Sequence, residues 1–469
     1  MTLGPRARLA ATVAVVAVVA IACCVLAPLR DPSGDVVAAR LGGVVLRCGG
    51  DFDLSRVDWI RRETDRKRLP YYVQRDAAGQ FSSVFGPVPA VIAAGALLDF
   101  GAGDTITDAM LRSRERYAAA LCLGLAVALL TLAAAARCGL ARSALTGGLA
   151  AASFAGAATL GQALWQATTA LPLLAGALAA HAWRERFPRV ALATPALLVV
   201  GVLMRPTIAP LALGFGVAWL LDATGGGAGR APGVLASLVD SRGARARIVA
   251  LAIAVVAAAP LVAWNVVHLG SPFPIGQWIV NSRVSDAPFS LGGFAAGFVG
   301  LLVSPGRGVL WFAPIVLVGI VAGLRGTRTS RVIAGGVVLQ ILVMSAFHRW
   351  HGGLAYGPRF LTEACWIAIW LALGTGLDSR GLARIVLGVA IAITIVAGQL
   401  GLWRFEIEQW ETRRRPETDS AAFWDFVDSP IAATLTSTAG IPHVRHAPEL
   451  GGLRCFTTGY VGSVALPAR

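Results

Sequence analysis

Charge is scarce in this chain. Of its 469 residues only 14% are Asp, Glu, Lys or Arg, where a soluble domain carries about 25%. Lysine is nearly missing: Lys67 stands alone among 41 basic residues, a bias that fits a GC-rich coding sequence. Metal signatures are missing as well. The seven cysteines form no ligand spacing, and no HExxH occurs. Nor is there an internal repeat. What fills the space is apolar sequence, 56% of all residues, with a mean hydropathy of +0.67. No single core absorbs that much, so lipid must be the solvent for most of it. The net charge of +15 would suggest nucleic acid in a soluble protein. Here the arginines sit mainly in short loops between apolar runs, which is a topology signal and points to membrane lipids instead.

Apolar runs at roughly 8–29, 116–136, 143–161, 167–183, 190–204, 207–221, 248–268, 309–324, 332–347, 359–377 and 384–403 predict an all-α polytopic membrane protein of about eleven spans. The first run follows Arg6 and Arg8 but is long for a signal peptide and lacks a clear cleavage site, so it reads as a retained helix. Segment 84–100 decides the topology. If it crossed, Arg137, Arg142, Arg184–Arg189, Arg230–Arg247, Arg325, Arg328 and Arg331 would all lie outside, inverting the positive-inside rule. Pro87 and Pro89 break its start, and the segment reads as interfacial or re-entrant. The expected organisation is a transmembrane domain over 1–403, with a first outer loop at 30–115, and a short extracytoplasmic tail at 404–469. The N-terminus is cytoplasmic, in the inner membrane. The glycine-rich stretch after Asp222 reads as a cytoplasmic linker.

On that topology the outer turns hold the chemistry. Asp35 follows the first span, and Asp51 and Asp53 come after it; a carboxylate there can act as general base toward a hydroxyl. Tyr71 and Tyr72 lie in the same loop. Arg205 opens a hairpin between two spans, Arg307 sits in Ser304-Pro305-Gly306-Arg307-Gly308, and Arg359 ends Tyr356-Gly357-Pro358-Arg359. A fixed guanidinium beside free amides suits a phosphate at headgroup depth, although each arginine has a plainer reading as an interfacial anchor. His348 and His351 can share a metal or, as preferred here, hydrogen-bond a substrate. His443 and His446 repeat the spacing in the tail and read as surface residues. Trp165, Trp278 and Trp350 can stack on sugar rings or merely mark the interface. Cys48 and Cys455 fall in the polar segments and can pair if both lie outside. Cys23, Cys24, Cys122, Cys138 and Cys365 are apolar in context.

At these residues the chain resembles the GT-C superfamily of integral-membrane glycosyltransferases, which includes dolichyl-phosphate-mannose protein mannosyltransferases and the lipid A aminoarabinose transferase. The likeness rests on Asp35 after the first span, a long first outer loop with interfacial helices, Phe85-Gly86-Pro87-Val88-Pro89 closing that loop, and the turns at 304–308 and 356–359. It covers most of 1–403. Many members carry paired acids at the first position, whereas Val36 and Val37 follow Asp35 here, so Asp35, Asp51 and Asp53 all stay candidates for the base. The resemblance implies transfer of a sugar, with inversion, from a polyprenyl-phosphate donor to a glycan, lipid or protein acceptor of the envelope. Asp35 or Asp53 would be catalytic, and Arg205, Arg307, Arg359, His348, His351, Tyr356 and Tyr72 would bind substrate. No cofactor is implied beyond that donor, and a divalent metal stays open. The rival classes are a transporter or flippase of lipid-linked sugars and a non-catalytic assembly protein. Few polar residues lie at mid-depth in the spans, Gln340 being the clearest, which disfavours transport.

Overall fold

The computed structural model describes residues 4–29, 34–65, 69–76, 79–222, 241–282, 285, 287–353, 355–374, 381–404, 410, 414, 420–436, 452–456 and 459–464. The glycine-rich stretch after Asp222, and His443 and His446, lie outside them. Pro5 opens α1 (Pro5–Leu26) at the first turn, where its missing N–H costs nothing. Next come α2 (Val37–Gly49), α3 (Asp58–Asp65), a hairpin of β1 (Val73–Arg75) and β2 (Phe81–Ser83), α4 (Val88–Gly95) and β3 (Thr105–Thr107). Thr107 caps α5 (Asp108–Ala135) by accepting from the Met110 N–H. After it run α6 (Leu140–Ala152), a π-helical turn at Phe154–Leu160, α7 (Gln166–Ala182), α8 (Thr194–Met204) and α9 (Ala209–Asp222). The second half holds α10 (Ser241–Leu269), α11 (Gly276–Ser282), α12 (Phe294–Val303), α13 (Ile315–Arg325), α14 (Arg328–Ser345), α15 (Thr362–Gly374) and α16 (Leu382–Trp403). The tail adds α17 (Pro430–Thr436), β4 (Gly452–Cys455) and β5 (Val461–Val464).

Among the described residues, four helices are long and apolar enough to cross a membrane: α1, α5, 244–269 of α10, and α16. A fifth span results if α6 and the π-helical turn, bent by 44°, count as one. Shorter apolar helices fill much of the rest, several of them broken at prolines such as Pro206 and Pro314. Helix α12 is apolar and belongs to none of the expected runs.

The helices share two ends. Helices α1 and α5 lie antiparallel: Gly124 abuts Ile21, and Arg116 Nη1 donates to the Ala27 carbonyl. Residues 34–107 therefore gather at the end where α1 stops and α5 starts. Segment 84–100 contains only the eight residues of α4, about 12 Å at 1.5 Å each and too short to cross. It lies along α2, where Gly42 meets Ala90 and Gly43 meets Ala93. At the opposite end Arg184 and His181 approach Asp222 at 2.9 and 3.2 Å, Thr329 donates to the same carboxylate, and Arg137 donates to Ser330.

The expectation of an all-helical chain needs one correction. Five short strands stand at the first end, and β3 pairs with β4, which pairs with β5. The tail thus closes a sheet begun by the first loop, a pairing no local period announces because its partners lie hundreds of residues apart. A Cys48–Cys455 disulfide spans 407 residues and locks the same contact. Leu453, Cys455 and Val461 share one apolar cluster with Val37, Leu41, Val57 and Phe100, separate from the core of the bundle. Loop and tail make one cap.

Without reductant, Cys48 and Cys455 should resist alkylation in the denatured protein while the other cysteines react. Cys48→Ser should lower stability by about 2–4 kcal/mol, read as a lower melting temperature and faster proteolysis of the tail.

Candidate functional site

Where the cap meets the bundle, a narrow cleft opens. Asp35 and Ala39 come from the start of α2, Ser83, Phe85, Gly86 and Pro89 from the approach to α4, and Leu164, Trp165 and Gln166 from the start of α7. Arg205 follows α8, and Arg359 and Phe360 precede α15. The walls are held by specific bonds. Arg40 on α2 reaches Glu115 on α5 at 2.7 Å, both almost fully buried, and the other Glu115 oxygen accepts from the Leu164 N–H at 3.1 Å. Gln166 Nε2 donates to the Phe85 carbonyl at 2.8 Å. On the far wall Gly357 turns the chain at φ +74°, packed between Phe154 and Phe312 where a side chain would collide. Only glycine meets both demands, and the turn delivers Arg359 to the cleft.

One acid and two arginines form the floor, with a second acid behind them. Arg359 Nη1 lies 2.8 Å from Asp35 Oδ2, and Tyr71 donates its hydroxyl to Asp35 Oδ1. The Arg359 guanidinium lies 5.0 Å from the centre of the Trp165 ring. Behind it, Arg205 Nε pairs with Glu363 Oε1 at 2.5 Å, with 6% and 0% of the two side chains exposed. Arg205 Nη2 also donates to the Arg359 carbonyl at 3.3 Å, and Thr362 donates to Glu363 Oε2. Among the described residues, Asp35 is the one carboxylate that lines the cleft. Among the described residues no group of three or more His, Cys, Asp or Glu could hold a metal ion.

Thus Asp35, Arg205 and Arg359 stand together, as do the tryptophan at 165 and Gln166. The other candidates lie elsewhere. Asp53 caps a helical turn, accepting from Ser55 N, Ser55 Oγ and Phe81 N; Asp51 makes a two-pronged pair with Arg56. Both carboxylates staple the cap. Arg307 is fully buried, its guanidinium donating to the carbonyls of Gly306, His351 and Gly353 at 2.9–3.1 Å, with the Phe423 and Trp410 rings beside it. Gly308 allows the tight turn, because a side chain there would strike the Ser304 backbone. The His351 ring stacks on Phe423 and accepts from the Gly353 N–H. Burial, with the Arg307 cation beside it, pushes His351 down to about 3, so it stays neutral at physiological pH. His348 Nδ1 donates to the Pro288 carbonyl. Tyr356 is buried, donating to Ala397 O, and Tyr72 packs edge-on against Tyr71.

Sequence reasoning missed Glu363, Tyr71 as the partner of Asp35, and the Arg40–Glu115 brace. Glu363 carried a signal: an acid one helical turn beyond Arg359 inside an apolar run has to be paired.

Neither a family model nor a curated protein matches the chain. Among solved structures it is similar to the Archaeoglobus fulgidus oligosaccharyltransferase AglB in complex with an inhibitory peptide and a dolichol-phosphate. The match has 14% identity and a TM-score of 0.43, over 93% of this chain and 61% of that one. A second structure of the A. fulgidus oligosaccharyltransferase, tethered to an acceptor peptide with an NVT sequon, gives 13% and 0.42, over 94% and 60%. The chain spans about three-fifths of the length of the structures it matches. These likenesses are distant, and the chemistry of the cleft is taken from its own side chains.

Arg307→Lys keeps the charge but loses the fork that serves three carbonyls. It should cost about 3 kcal/mol, seen as a lower melting temperature and a tail more open to protease. At a temperature where the variant stays folded, its affinity for any anion that the protein binds should be unchanged. A large loss of that affinity would put Arg307 back among the anion-binding groups.

Proposed function

We propose that the chain is a GT-C-like glycosyltransferase of about eleven spans, which moves a sugar from a polyprenyl-phosphate donor to a hydroxyl acceptor of the envelope, with inversion, at the outer face of the cytoplasmic membrane. The observation that carries this reading is the cleft itself. One carboxylate and two guanidinium groups, from three distant parts of the sequence, face one narrow space at the end of an apolar bundle. An enzyme outside the cytosol lacks nucleotide sugars, and a lipid phosphate brings an activated sugar through the bilayer to that depth. Arg359, backed by Arg205, stabilises the charge that grows on the leaving phosphate. Asp35 takes the proton of the attacking hydroxyl, and the cap aligns the two substrates. A single acid at the attack site suits direct displacement, which inverts the anomeric carbon.

Two features support the orientation. Arg137, Arg184, Arg325 and Arg328 stand at or beside the end of the bundle that holds the Asp222 cluster, in short connections, as positive-inside sorting requires of the cytosolic side. The disulfide stands at the opposite end, where the compartment is oxidising.

The test is a panel of polyprenyl-phosphate sugars incubated with the purified protein, with release of free lipid phosphate as the readout. Asp35→Asn should slow release by at least about 100-fold, and wild-type turnover by that variant would remove the assignment. A cysteine placed at Arg328 should react with impermeant reagents only from the cytosolic side; reaction from outside overturns the orientation.

A further inference from the structure

The ligand-free cleft holds its proposed base and its proposed anion-binding group on each other. Arg359 Nη1 lies 2.8 Å from Asp35 Oδ2, with 16% and 21% of the two side chains exposed. The second cation is taken as well, since Arg205 is paired with the fully buried Glu363. Asp35 and Glu363 balance Arg205 and Arg359, so the four side chains sum to zero. A phosphate entering this space meets two guanidinium groups that are already paired. It also meets a carboxylate on the guanidinium that it needs, and two anions crowded on one cation in a poorly hydrated cleft repel.

We infer that the donor phosphate displaces Asp35 from Arg359, so that the carboxylate is an internal competitor of the donor and is released as a base only when the donor is bound. This rests on the glycosyl-transfer reading and deepens it. Oδ1 accepts from the Tyr71 hydroxyl, so Asp35 keeps this anchor when Oδ2 leaves Arg359. Arg359 has its own supports: the Trp165 ring beneath it, the Phe360 ring beside it and the Gly352 turn against its Cγ. The guanidinium therefore stays in place while the carboxylate swings. The gate has a use, because an acceptor that arrives before the donor finds a carboxylate still paired with Arg359.

The competition makes a counterintuitive demand on affinity. Binding of farnesyl phosphate to the purified full chain is measured by titration calorimetry, in a chelator-containing buffer. Asp35→Asn removes the competing charge and should bind about tenfold more tightly than wild type, which is about 1.4 kcal/mol, while its transfer activity is lost. Asp35→Ala should shift affinity the same way, guarding against a local fault in the first variant. Asp58→Asn, which removes one negative charge from the exposed surface of the same cap, should leave affinity unchanged. Equal or weaker binding by both Asp35 variants, beside a wild type that binds, overturns the inference and leaves the donor reading standing. If neither wild type nor variant binds the prenyl phosphate, the donor reading falls and takes this inference with it.

Discussion

A guanidinium at the rim of an apolar bundle has to be neutralised or fully hydrogen-bonded, because leaving it desolvated and unanswered costs several kcal/mol. That constraint organises this end of the molecule. Arg359 is answered by Asp35, Arg205 by Glu363, and Arg307 by three backbone carbonyls. The answers differ in kind. A carboxylate is mobile and can be exchanged for another anion. A cage of carbonyls is the fold itself, and Arg307 cannot leave it without unmaking the 351–353 turn and the seat of Phe423. The same residue type therefore gives one exchangeable pair, one brace and one keystone.

The cap exists to bring Asp35 to that rim. Short helices with little core of their own do not hold position alone. Here α2 is tied to the bundle by the Arg40–Glu115 pair and to α4 by glycine–alanine contact. The tail adds two strands and a disulfide. A second tether runs from the hairpin to α10, where the Asp76 carboxylate meets the His268 ring at 2.9 Å and Gln74 donates to the His268 carbonyl. The Arg40 and Asp76 tethers join the cap to two different helices, so the cleft keeps its shape only while both are in place.

What the sequence made legible was whatever hydropathy, proline and arginine placement encode: the apolar runs, the short α4, and the gathering of Asp35, Arg205 and Arg359 at one end. Partners hidden in apolar runs or in backbone were not legible. Glu363 sits in Thr-Glu-Ala-Cys-Trp, which reads as a span. Nothing around Arg307 marks that two of its three acceptors are the carbonyls of a loop some forty residues on, so a turn that packs looked like a turn built for phosphate. Asp53 reads as a candidate base beside Asp35 for a similar reason: an N-cap aspartate and one that lines a cleft look alike until their hydrogen bonds are counted. The strand pairing of loop and tail has no local signature at all, and only the two cysteines in polar segments hinted at it.

The choice of arginine at 359, rather than lysine, follows from how the site divides the side chain. Its guanidinium carbon lies 5.0 Å from the centre of the Trp165 ring, and one of its N–H groups reaches Asp35. Five N–H donors spread over one planar group let it sit against a ring and still exchange one oxygen ligand for another. An ammonium has no such division: contact with the indole and contact with an anion would compete for one small sphere of charge. A guanidinium set between the Trp165 and Phe360 rings is thus held where an exchange of carboxylate for phosphate needs it held, and the freedom is left to Asp35.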